Sequence, residues 1–489
     1  MIPQAPVVAE PQKLDDANMG EFVANTYLRG KFVSAPGLGW MGYDGKKWSP
    51  VSDARVLKAV KDALLDFHMQ EGLAGAEARR LGETHRLLYV RRMQAIMSLA
   101  RGELEVDAAE FDAHPDLLNC ANGVVDLRTG ELSPHDPGLL FTRCTPVKYL
   151  PDAHHDDWEI GLQALPADVG EWMQVRMGQA ATGHATPDDR LPVLQGGGSN
   201  GKSTLLSAVM RALGDYAVPV PDRVLLANPG DHPTELMTLR GARLAVIEET
   251  PEARRLSVKR LKDVLGTDPM TARYIAKDSV SWHPTHSLFL SSNYAPAVDE
   301  TDHGTWRRLS LVKFRYTFRD PGSPLVGDLD RHGDPNLRDR LKAGTGGRLE
   351  AVLSWLVDGA LRWYADGQTL PPVPAIVAED TRAWRAESDL ILSFMADILV
   401  ADPDHHVRRS DVYAAFTDWA AEHGHAKWSD KTFTSRFGQH DEVTGAGIHD
   451  GRPYAITPGL SRRPGLTGQV PDRFRAWMGV RFRLPSDTD

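Results

Sequence analysis

The feature that most constrains the fold is a glycine-rich loop between a strand-like run and a helical run. The apolar run "LPVLQ" ends at Gln195, the loop "GGGSNGKS" follows it, and the apolar run "TLLSAVMRAL" comes next. Glycines in the pattern G-x-x-x-x-G-K-S let the backbone turn tightly and direct successive N–H groups at an anion. Because the loop joins a strand to a helix N-terminus, it predicts a parallel α/β core that binds a nucleoside triphosphate.

Side chains of the loop add to this backbone cradle. Lys202 is long enough to reach the outer phosphates, and Ser203 can ligate Mg²⁺. The alternative, a glycine-rich surface turn, does not account for the strand before the loop and the helix after it. We therefore assign phosphate binding to the whole loop: Gly196, Gly197, Gly198, Ser199, Asn200, Gly201, Lys202, Ser203 and Thr204.

Two further strand-like runs end in polar side chains suited to phosphate chemistry. "GARLAVIEET" ends in Glu248 and Glu249, and "HSLFLSSN" ends in Asn293. In an open α/β sheet the carboxyl ends of the strands border the ligand crevice. One carboxylate, for which we take Glu248, can hold magnesium, and the other can deprotonate the attacking water. The amide can contact the γ-phosphate or that water. A strand that simply exits into a polar loop is the alternative.

The segment "DHGTWRRLSLVKF" places Arg307 and Arg308 at the head of another strand. An arginine there can reach a phosphate across a subunit boundary and stabilise transition-state charge. A solvated arginine pair is the alternative.

Composition limits the class of protein. The formal net charge is −10, so any nucleic acid would have to bind in a local channel rather than on an evenly basic surface. Cys120 and Cys144 are the two cysteines, which excludes a disulfide framework and favours a reducing cytosol. No apolar run of about 18 residues and no signal-peptide pattern occurs, so we expect a cytoplasmic protein without membrane contact.

Composition shifts and turn signals divide the chain into consecutive parts. "MGYDGKKW" is typical of a hairpin turning at Asp44-Gly45, and residues 122–137 are typical of a β-meander. A helix predicted over 349–366 ends at the proline-rich "TLPPVP". The predicted parts are a disordered N-terminus (1–19), an N-terminal domain (20–157), the ATPase domain (158–370), a winged-helix-like domain (385–460) and an Arg-bearing tail (461–489).

These motifs together resemble the superfamily 3 helicases, especially phage and plasmid primase-helicases and poxvirus replication proteins. The similar pieces are "GGGSNGKST", "RLAVIEET", "LKDVLGTDPMTARYIAKD", "HSLFLSSNYAP" and "DHGTWRR", in this order, with the upstream "LLNCANGVVDLRTGELSPHDPGLL". The resemblance implies an α/β fold: an AAA+-like P-loop core with an α+β helicase-associated region before it and a winged-helix-like domain after it. It also implies a ring hexamer moving 3′ to 5′ on single-stranded DNA at a fork, driven by ATP hydrolysis.

The resemblance implies a role for most of the candidate site residues. Lys202 and Ser203 match the phosphate and magnesium contacts, and Asn293 matches the sensor asparagine. Lys262 matches a lysine that points toward the nucleotide of a neighbouring subunit. Relatives often show one glutamate, aligned with Glu249, where this chain has two acids, so the identity of the base stays open. Arg308 or Arg307 would be the arginine finger, and Arg308→Ala is the variant expected to lose hydrolysis while it keeps nucleotide binding.

One departure concerns primer synthesis. Relatives often carry a primase domain ahead of the helicase, with paired aspartates on a strand for two-metal chemistry. About 190 residues precede the loop here, and they contain no strand with an Asp-x-Asp pair. We therefore expect unwinding without priming, a separately encoded primase as partner, and, if a phage or plasmid encodes the chain, the cytoplasm of a bacterial host.

Two segments are candidates for DNA contact. "ARYIAKDSVSW" predicts a hairpin whose tip carries Lys277, with Arg273 at its start, and in the resembled family such a hairpin enters the ring channel. In the winged-helix-like domain we expect helices that begin at the caps Ser410 and Ser429, the second exposing Lys431 and Arg436. A solvated hairpin tip and a protein-docking domain are the respective alternatives.

Two other functional classes remain open at this point. One is an AAA+ initiator or loader that binds DNA and remodels partners without unwinding. The other is a signalling or defence ATPase that never contacts DNA. Strand separation on a forked duplex distinguishes the helicase from both.

Overall fold

The computed structural model describes residues 11–226, 233–248, 256–273, 280–296, 298, 303–425, 427–463 and 469–487. Within them lie an N-terminal α+β region, a central parallel α/β core and a C-terminal α+β region. No helix in these ranges is both long and apolar enough to cross a membrane.

The N-terminal region packs helices against a small antiparallel sheet. Ser52 caps the longest helix by accepting a hydrogen bond from the Arg55 N–H, and Gly45 turns the predicted hairpin with φ 102°. The hairpin is thereby confirmed. The elements are α1 (Asp16–Val23), β1 (Phe32–Ala35), β2 (Gly39–Tyr43), β3 (Trp48–Pro50), α2 (Asp53–Leu73), α3 (Ala78–Arg86) and α4 (Val90–Glu103).

The predicted β-meander is confirmed as an antiparallel sheet of β4 (Leu117–Cys120), β5 (Gly123–Asp126) and β6 (Leu132–Ser133). Its buried residues Leu118 and Val125 belong to the same hydrophobic cluster as the helices of the central core. The predicted domain boundary at residue 157 therefore does not separate two hydrophobic cores.

The central core is a five-stranded sheet in which every pairing is parallel, as predicted. The strand order is β13-β7-β12-β9-β8. Its elements are α5 (Asp156–Leu162), α6 (Ala167–Ala181), β7 (Leu191–Gln195), α7 (Lys202–Leu213), β8 (Ala217–Pro219), α8 (Arg223–Leu226), β9 (Leu244–Glu248), α9 (Val258–Leu265), β10 (Met270–Ala272), β11 (Val280–Trp282), β12 (Ser287–Ser292), α10 (His303–Trp306) and β13 (Leu309–Lys313).

The core continues with β14 (Thr317–Arg319), β15 (Asp330–His332), α11 (Leu337–Ala343), α12 (Arg348–Ala365) and α13 (Ala375–Ser388). The predicted helix over 349–366 is thus confirmed. Alternate residues of the central strands enter two different clusters, so both faces of the sheet are buried. Trp384 on α13 is buried, and its indole donates to the Pro296 carbonyl at 3.1 Å. Hence α13 packs on the core, although the sequence placed a boundary before it.

The hairpin predicted between the acid-bearing strand and the Asn293 strand is present at its base. There β10 pairs antiparallel with β11, and Ala272 lies opposite Val280. Lys277, at the predicted tip, lies outside the described residues.

The C-terminal region has its own buried core. Its elements are α14 (Leu390–Ile398), β16 (Leu399–Arg408), α15 (Arg409–Glu422), α16 (Asp430–Gln439), α17 (Asp441–Gly445), β17 (His449–Gly451) and β18 (Ala476–Phe482), and the sheet order is β16-β18-β17. Ser429 caps α16 as predicted, by accepting from the Thr432 N–H. Ser410, in contrast, lies inside the first turn of α15, because Arg408 occupies the cap position.

The C-terminal segment also differs from the prediction. The sequence placed residues 461–489 in a tail, but β18 is the central strand of the sheet. Trp477, Val480 and Phe482 are buried there, because both edges and the inner face of the strand are covered. The folded region therefore extends well past residue 460.

Candidate active site

Three of the predicted site elements meet at one edge of the central sheet. Gln195, the last residue of β7, pairs with Ser292 of β12, and Glu248 of β9 pairs with Ser291. Since the three strands are parallel, the glycine-rich loop, Asn293 and Glu248 all lie at their carboxyl ends. Glu248 and Asn293 are both exposed there. Glu249 lies outside the described residues, so the identity of the base stays a prediction.

At two positions of the loop, a residue larger than glycine would clash with its surroundings. A Cβ on Gly196 would lie 1.7 Å from the amide nitrogen of Asn200, and one on Gly201 would lie 2.6 Å from the Ala164 Cβ. Gly201 also has φ 82°, in the left-handed region. The Ser199 carbonyl accepts a hydrogen bond from the Phe318 N–H at 2.7 Å. This anchor from β14 was not predicted, because it joins residues far apart in sequence.

The side chain of Lys202 reaches the carboxyl ends of β7 and β12. It is 5% exposed, and its ammonium donates to the Ser292 carbonyl at 2.5 Å, the Gly196 carbonyl at 3.3 Å and the Asn293 amide oxygen at 3.4 Å. The charged group therefore sits beneath the loop and directly beside Asn293. A phosphate above the loop would find this cation within reach.

Space and donors above the loop fit a triphosphate. Among the described residues, no atom lies within 4 Å of where a Cβ would stand on Gly197 or Gly198, and no side chain caps the N-terminus of α7. Ser203, in the first turn of that helix, is exposed. Asn200 is 5% exposed, and its amide nitrogen has no hydrogen-bond partner among the described residues. An open cradle with a buried donor, a buried ammonium and a free helix end is suited to a polyanion.

The same edge offers oxygen ligands for magnesium. The Ser203 hydroxyl and the Glu248 carboxylate are hard donors of the kind Mg²⁺ prefers. Within the described ranges no group of three or more His, Cys, Asp or Glu side chains forms a metal cage. Magnesium would therefore be held by these two residues together with phosphate oxygens, and it would supply neutralisation of phosphate charge when bound.

The two arginines lie at the opposite edge of the sheet. The Arg308 carbonyl accepts from the Leu191 N–H, at the amino end of β7, whereas the loop follows the carboxyl end of that strand. The five residues of β7 span about 16 Å, and this length separates the arginines from the loop along the strand. Arg308 donates to the Gly304 carbonyl at 2.7 Å and to Asp189 at 3.4 Å, so its guanidinium is held within its own chain. Arg307 is exposed.

Lys262 lies in α9 and its side chain is exposed. The last turn of this helix is at the amino edge of the sheet, because the Val264 carbonyl accepts from His286, which immediately precedes β12. Lys262 is therefore on a helix that ends on the side of the sheet away from the loop.

The candidate DNA-contact residues lie on elements other than those that carry the site, except Lys277, which is outside the described residues. Arg273 directly follows β10 and is exposed. On α16, Lys431 is exposed as predicted. Arg436 was also predicted to be exposed but is half-buried, because its guanidinium lies 4.6 Å from the centre of the Trp428 ring.

Comparisons with family profiles match three stretches of the chain. Residues 21–174 match a profile described as D5 N terminal like, residues 194–308 match a family of unknown function (DUF5906), and residues 386–448 match a Poxvirus D5 protein-like profile. The middle match spans the loop, Glu248, Asn293 and both arginines.

Viral proteins are among the similar curated sequences. "Putative primase C962R" of African swine fever virus is 26% identical over 329 residues, which is 63% of this chain and 34% of that protein. "Putative helicase 022R" of Frog virus 3 is 29% identical over 244 residues, covering 48% of this chain and 25% of that protein. "Uncoating factor OPG117" of Vaccinia virus is 23% identical over 318 residues, covering 59% and 39%.

The chain thus spans about a third of the length of the first of these relatives. Among solved structures, the NrS-1 C terminal region aligns with 96% of this chain and all of that one, at 10% identity and a TM-score of 0.44. The chain therefore combines a parallel α/β core with regions that match two D5-type profiles, and it is similar to large-DNA-virus proteins named as primases and helicases.

Proposed function

We propose that the chain is an ATP-dependent DNA helicase that acts in DNA replication. The observation that carries this proposal is the convergence of the glycine-rich loop, Glu248 and Asn293 at one sheet edge, with the Lys202 ammonium bound to Gly196 of the loop and to Asn293. The names of the viral relatives support replication as the setting.

In this proposal each residue has a physical task. The loop N–H groups and Lys202 hold the β- and γ-phosphates of ATP, and Ser203 with Glu248 would hold magnesium. The remaining acid of the Glu248-Glu249 pair orients and deprotonates the attacking water. Asn293, at the end of β12, contacts the γ-phosphate or the attacking water, and its amide oxygen accepts from Lys202.

The separation between the loop and the arginines supports an assembly of several copies. If the loop of one copy and Arg307 of the next form each site, the contact is heterologous, and such contacts form a ring when the rotation between copies closes. The separation across β7 supports an arginine in trans, as does the position of Lys262. The number six and the 3′-to-5′ direction on single-stranded DNA rest on the resemblance to superfamily 3 helicases, as do the AAA+-like and winged-helix assignments. A separate primase remains a proposed partner.

The decisive experiment measures ATPase activity and unwinding of a forked duplex by the purified protein. We expect Lys202→Ala to lose both activities, because the outer phosphates lose their compensating charge. The matched control is Lys58→Ala, which removes an exposed lysine of α2, far from the loop in sequence. Wild-type turnover by the Lys202 variant would refute the NTPase assignment.

The unwinding readout separates the alternatives. An ATPase that binds DNA but separates no strands would indicate an initiator or loader. An ATPase whose rate is unaffected by any DNA would indicate a signalling or defence role.

A further inference from the structure

A segment outside the central sheet lies against the glycine-rich loop. β14 pairs in parallel with β15 to form a separate two-stranded sheet, and the turn between the two strands, residues 320–329, is largely exposed. We call residues 317–333 the β14–β15 segment. Its Phe318 N–H donates to the Ser199 carbonyl at 2.7 Å, so the segment is bonded directly to the loop.

This hydrogen bond ends on a residue whose backbone conformation is uncommon. Ser199 has φ 47°, in the left-handed region that residues other than glycine rarely adopt. Such a conformation persists only where the surrounding structure holds it. The Ser199 side chain is exposed, so its own packing does not supply that support. The hydrogen bond from β14 therefore helps to keep the loop in this shape.

The ring of Phe318 borders the loop at a second position. Its Cε2 lies 3.5 Å from where a Cβ would stand on Gly201, the residue immediately before α7. Gly333 leaves room for Phe318, because a Cβ on that glycine would lie 2.8 Å from the Phe318 Cβ. The Gly333 N–H also donates to the Arg319 carbonyl at 2.8 Å, which holds the end of the segment beside β14.

Asp330 holds the β14–β15 segment together. Its side chain is 7% exposed. One carboxylate oxygen accepts from the Val326 N–H at 2.9 Å and from the Gly327 N–H at 3.3 Å. The same oxygen accepts from the Arg319 Nε at 3.1 Å. Because hydrogen bonds to an ionised acceptor are stronger than neutral ones, this carboxylate joins the turn firmly to β14, next to Phe318.

Burial of apolar side chains contributes little to the turn. Leu325, Val326 and Leu329 are 46, 82 and 47% exposed. A turn that leaves its large apolar side chains in water gains little from the hydrophobic effect. The shape of the β14–β15 segment therefore depends on the hydrogen bonds of Asp330.

We infer that the β14–β15 segment positions the glycine-rich loop for phosphate, with Phe318 as the positioning residue and Asp330 as the group that fixes Phe318. This inference rests on the nucleotide site of the proposed function, and it adds residues that lie outside the loop motif. A loop already held in its binding shape loses less conformational entropy when a ligand binds. Loosening the segment should therefore weaken nucleotide binding, whereas the groups assigned to hydrolysis stay in place.

The test compares the ATPase kinetics of variants of the whole protein. Asp330→Ala should raise the KM for ATP about tenfold, the size expected when a charge-assisted hydrogen bond is lost. Gly333→Ala should raise KM as well, because the added methyl displaces Phe318. In both variants kcat should change by less than about threefold. Asp330→Asn should stay close to the wild type, since an amide oxygen can accept the same hydrogen bonds.

The matched control is Asp328→Ala, which removes an exposed acidic side chain from the same turn. This control should keep the wild-type KM, and thermal melting verifies that each variant is folded. Wild-type KM values in both Asp330→Ala and Gly333→Ala would overturn the inference. An equal rise of KM in the control, or a loss of kcat at unchanged KM, would overturn it too.

Hydrogen exchange of the wild type gives a readout that needs no substitution. If the bond between Phe318 and Ser199 favours phosphate binding, bound phosphate must favour that bond in return, because coupling between two sites is reciprocal. The Phe318 amide should therefore exchange more slowly with a saturating non-hydrolysable ATP analogue than without it. Unchanged exchange at this amide would overturn the inference, even where a variant fails to fold.

These outcomes are distinct from those that test the proposed function. A wild type that binds the analogue and protects the Phe318 amide, but separates no duplex, would refute the helicase proposal alone. An active helicase whose KM is unaffected by changes at Asp330 and Gly333 would refute the positioning role alone.

Discussion

Arg307 and Arg308 are adjacent in sequence but differ in environment, and this difference predicts separable effects of their removal. Arg307 is exposed at the amino edge of the sheet. The guanidinium of Arg308 is 16% exposed and is bound to Gly304 and Asp189. We therefore expect Arg307 to act on the nucleotide of a neighbouring copy and Arg308 to hold α10 against the segment before β7.

The magnitudes follow from these contacts. Arg308→Ala removes a charge-assisted hydrogen bond to a carbonyl, about 1.5 kcal/mol, and a partly exposed ion pair at 3.4 Å, about 0.5 kcal/mol. The expected loss of unfolding free energy is about 2 kcal/mol. Arg307→Ala should change that free energy by less than about 0.5 kcal/mol, because the side chain is exposed. An arginine finger contributes about a thousandfold or more to kcat, so hydrolysis should fall by that factor in Arg307→Ala alone.

The assay combines urea unfolding with ATPase measurements on single and mixed variants. Mixing inactive Lys202→Ala with inactive Arg307→Ala should restore activity, because some interfaces then pair an intact loop with an intact arginine. Arg307→Ala with wild-type turnover, or a mixture that assembles but stays inactive, would refute the trans assignment. A stable but inactive Arg308→Ala would instead assign the finger to Arg308.

Three further outcomes are expected. Gly196→Ala should abolish nucleotide binding measured by calorimetry, since the new methyl would meet Asn200, whereas Gly170→Ala on α6, where no described atom lies within 4 Å of the added Cβ, should retain it. Lys277→Ala should keep basal ATPase and assembly but lose DNA stimulation and unwinding, because a phosphate contact is removed; unwinding at wild-type rate would eliminate the hairpin as the DNA contact. No template should support primer synthesis, and labelled oligonucleotide products would contradict this.

Short-range patterns explain what the sequence could predict. The strand, loop and helix around Gly196–Thr204 are contiguous, so their geometry depends on local backbone preferences. The Ser429 cap and the Asp44-Gly45 turn are equally local. The parallel sheet followed from several apolar runs separated by helical segments.

Long-range contacts explain what it could not predict. The central place of β18 depends on pairing with β16, 68 to 83 residues earlier, and with β17, 25 to 29 residues earlier. Asp189 holds Arg308 across 119 residues, so nothing near "WRR" distinguishes the two arginines. Arg436 is less exposed than predicted because its guanidinium lies over Trp428, in the loop before α16. Tertiary packing determines such partners, and the hydrophobic periodicity of the sequence does not reveal them.

His286 links the stability of the fold to pH at the amino edge of the sheet. It is 4% exposed, its Nε2–H donates to the Val264 carbonyl, and its Nδ1 has no partner among the described residues. Burial lowers the pKa of His286 to about 4 from its ordinary value of 6.5. As pH falls from 6.5 toward 4, the unfolded chain gains a proton that the folded chain does not, so stability is full above this window and declines within it.

The pKa difference corresponds to about 3 kcal/mol across the window. Urea unfolding from pH 7.5 to 4.5 should therefore show the wild type losing more stability than His286→Gln, whose amide can still donate to Val264 but does not titrate there. His154→Gln is the matched control, because His154 is 78% exposed and should leave the pH dependence unchanged. Identical slopes for the wild type and His286→Gln would show that α9, and with it Lys262, is not held to β12 by a neutral histidine.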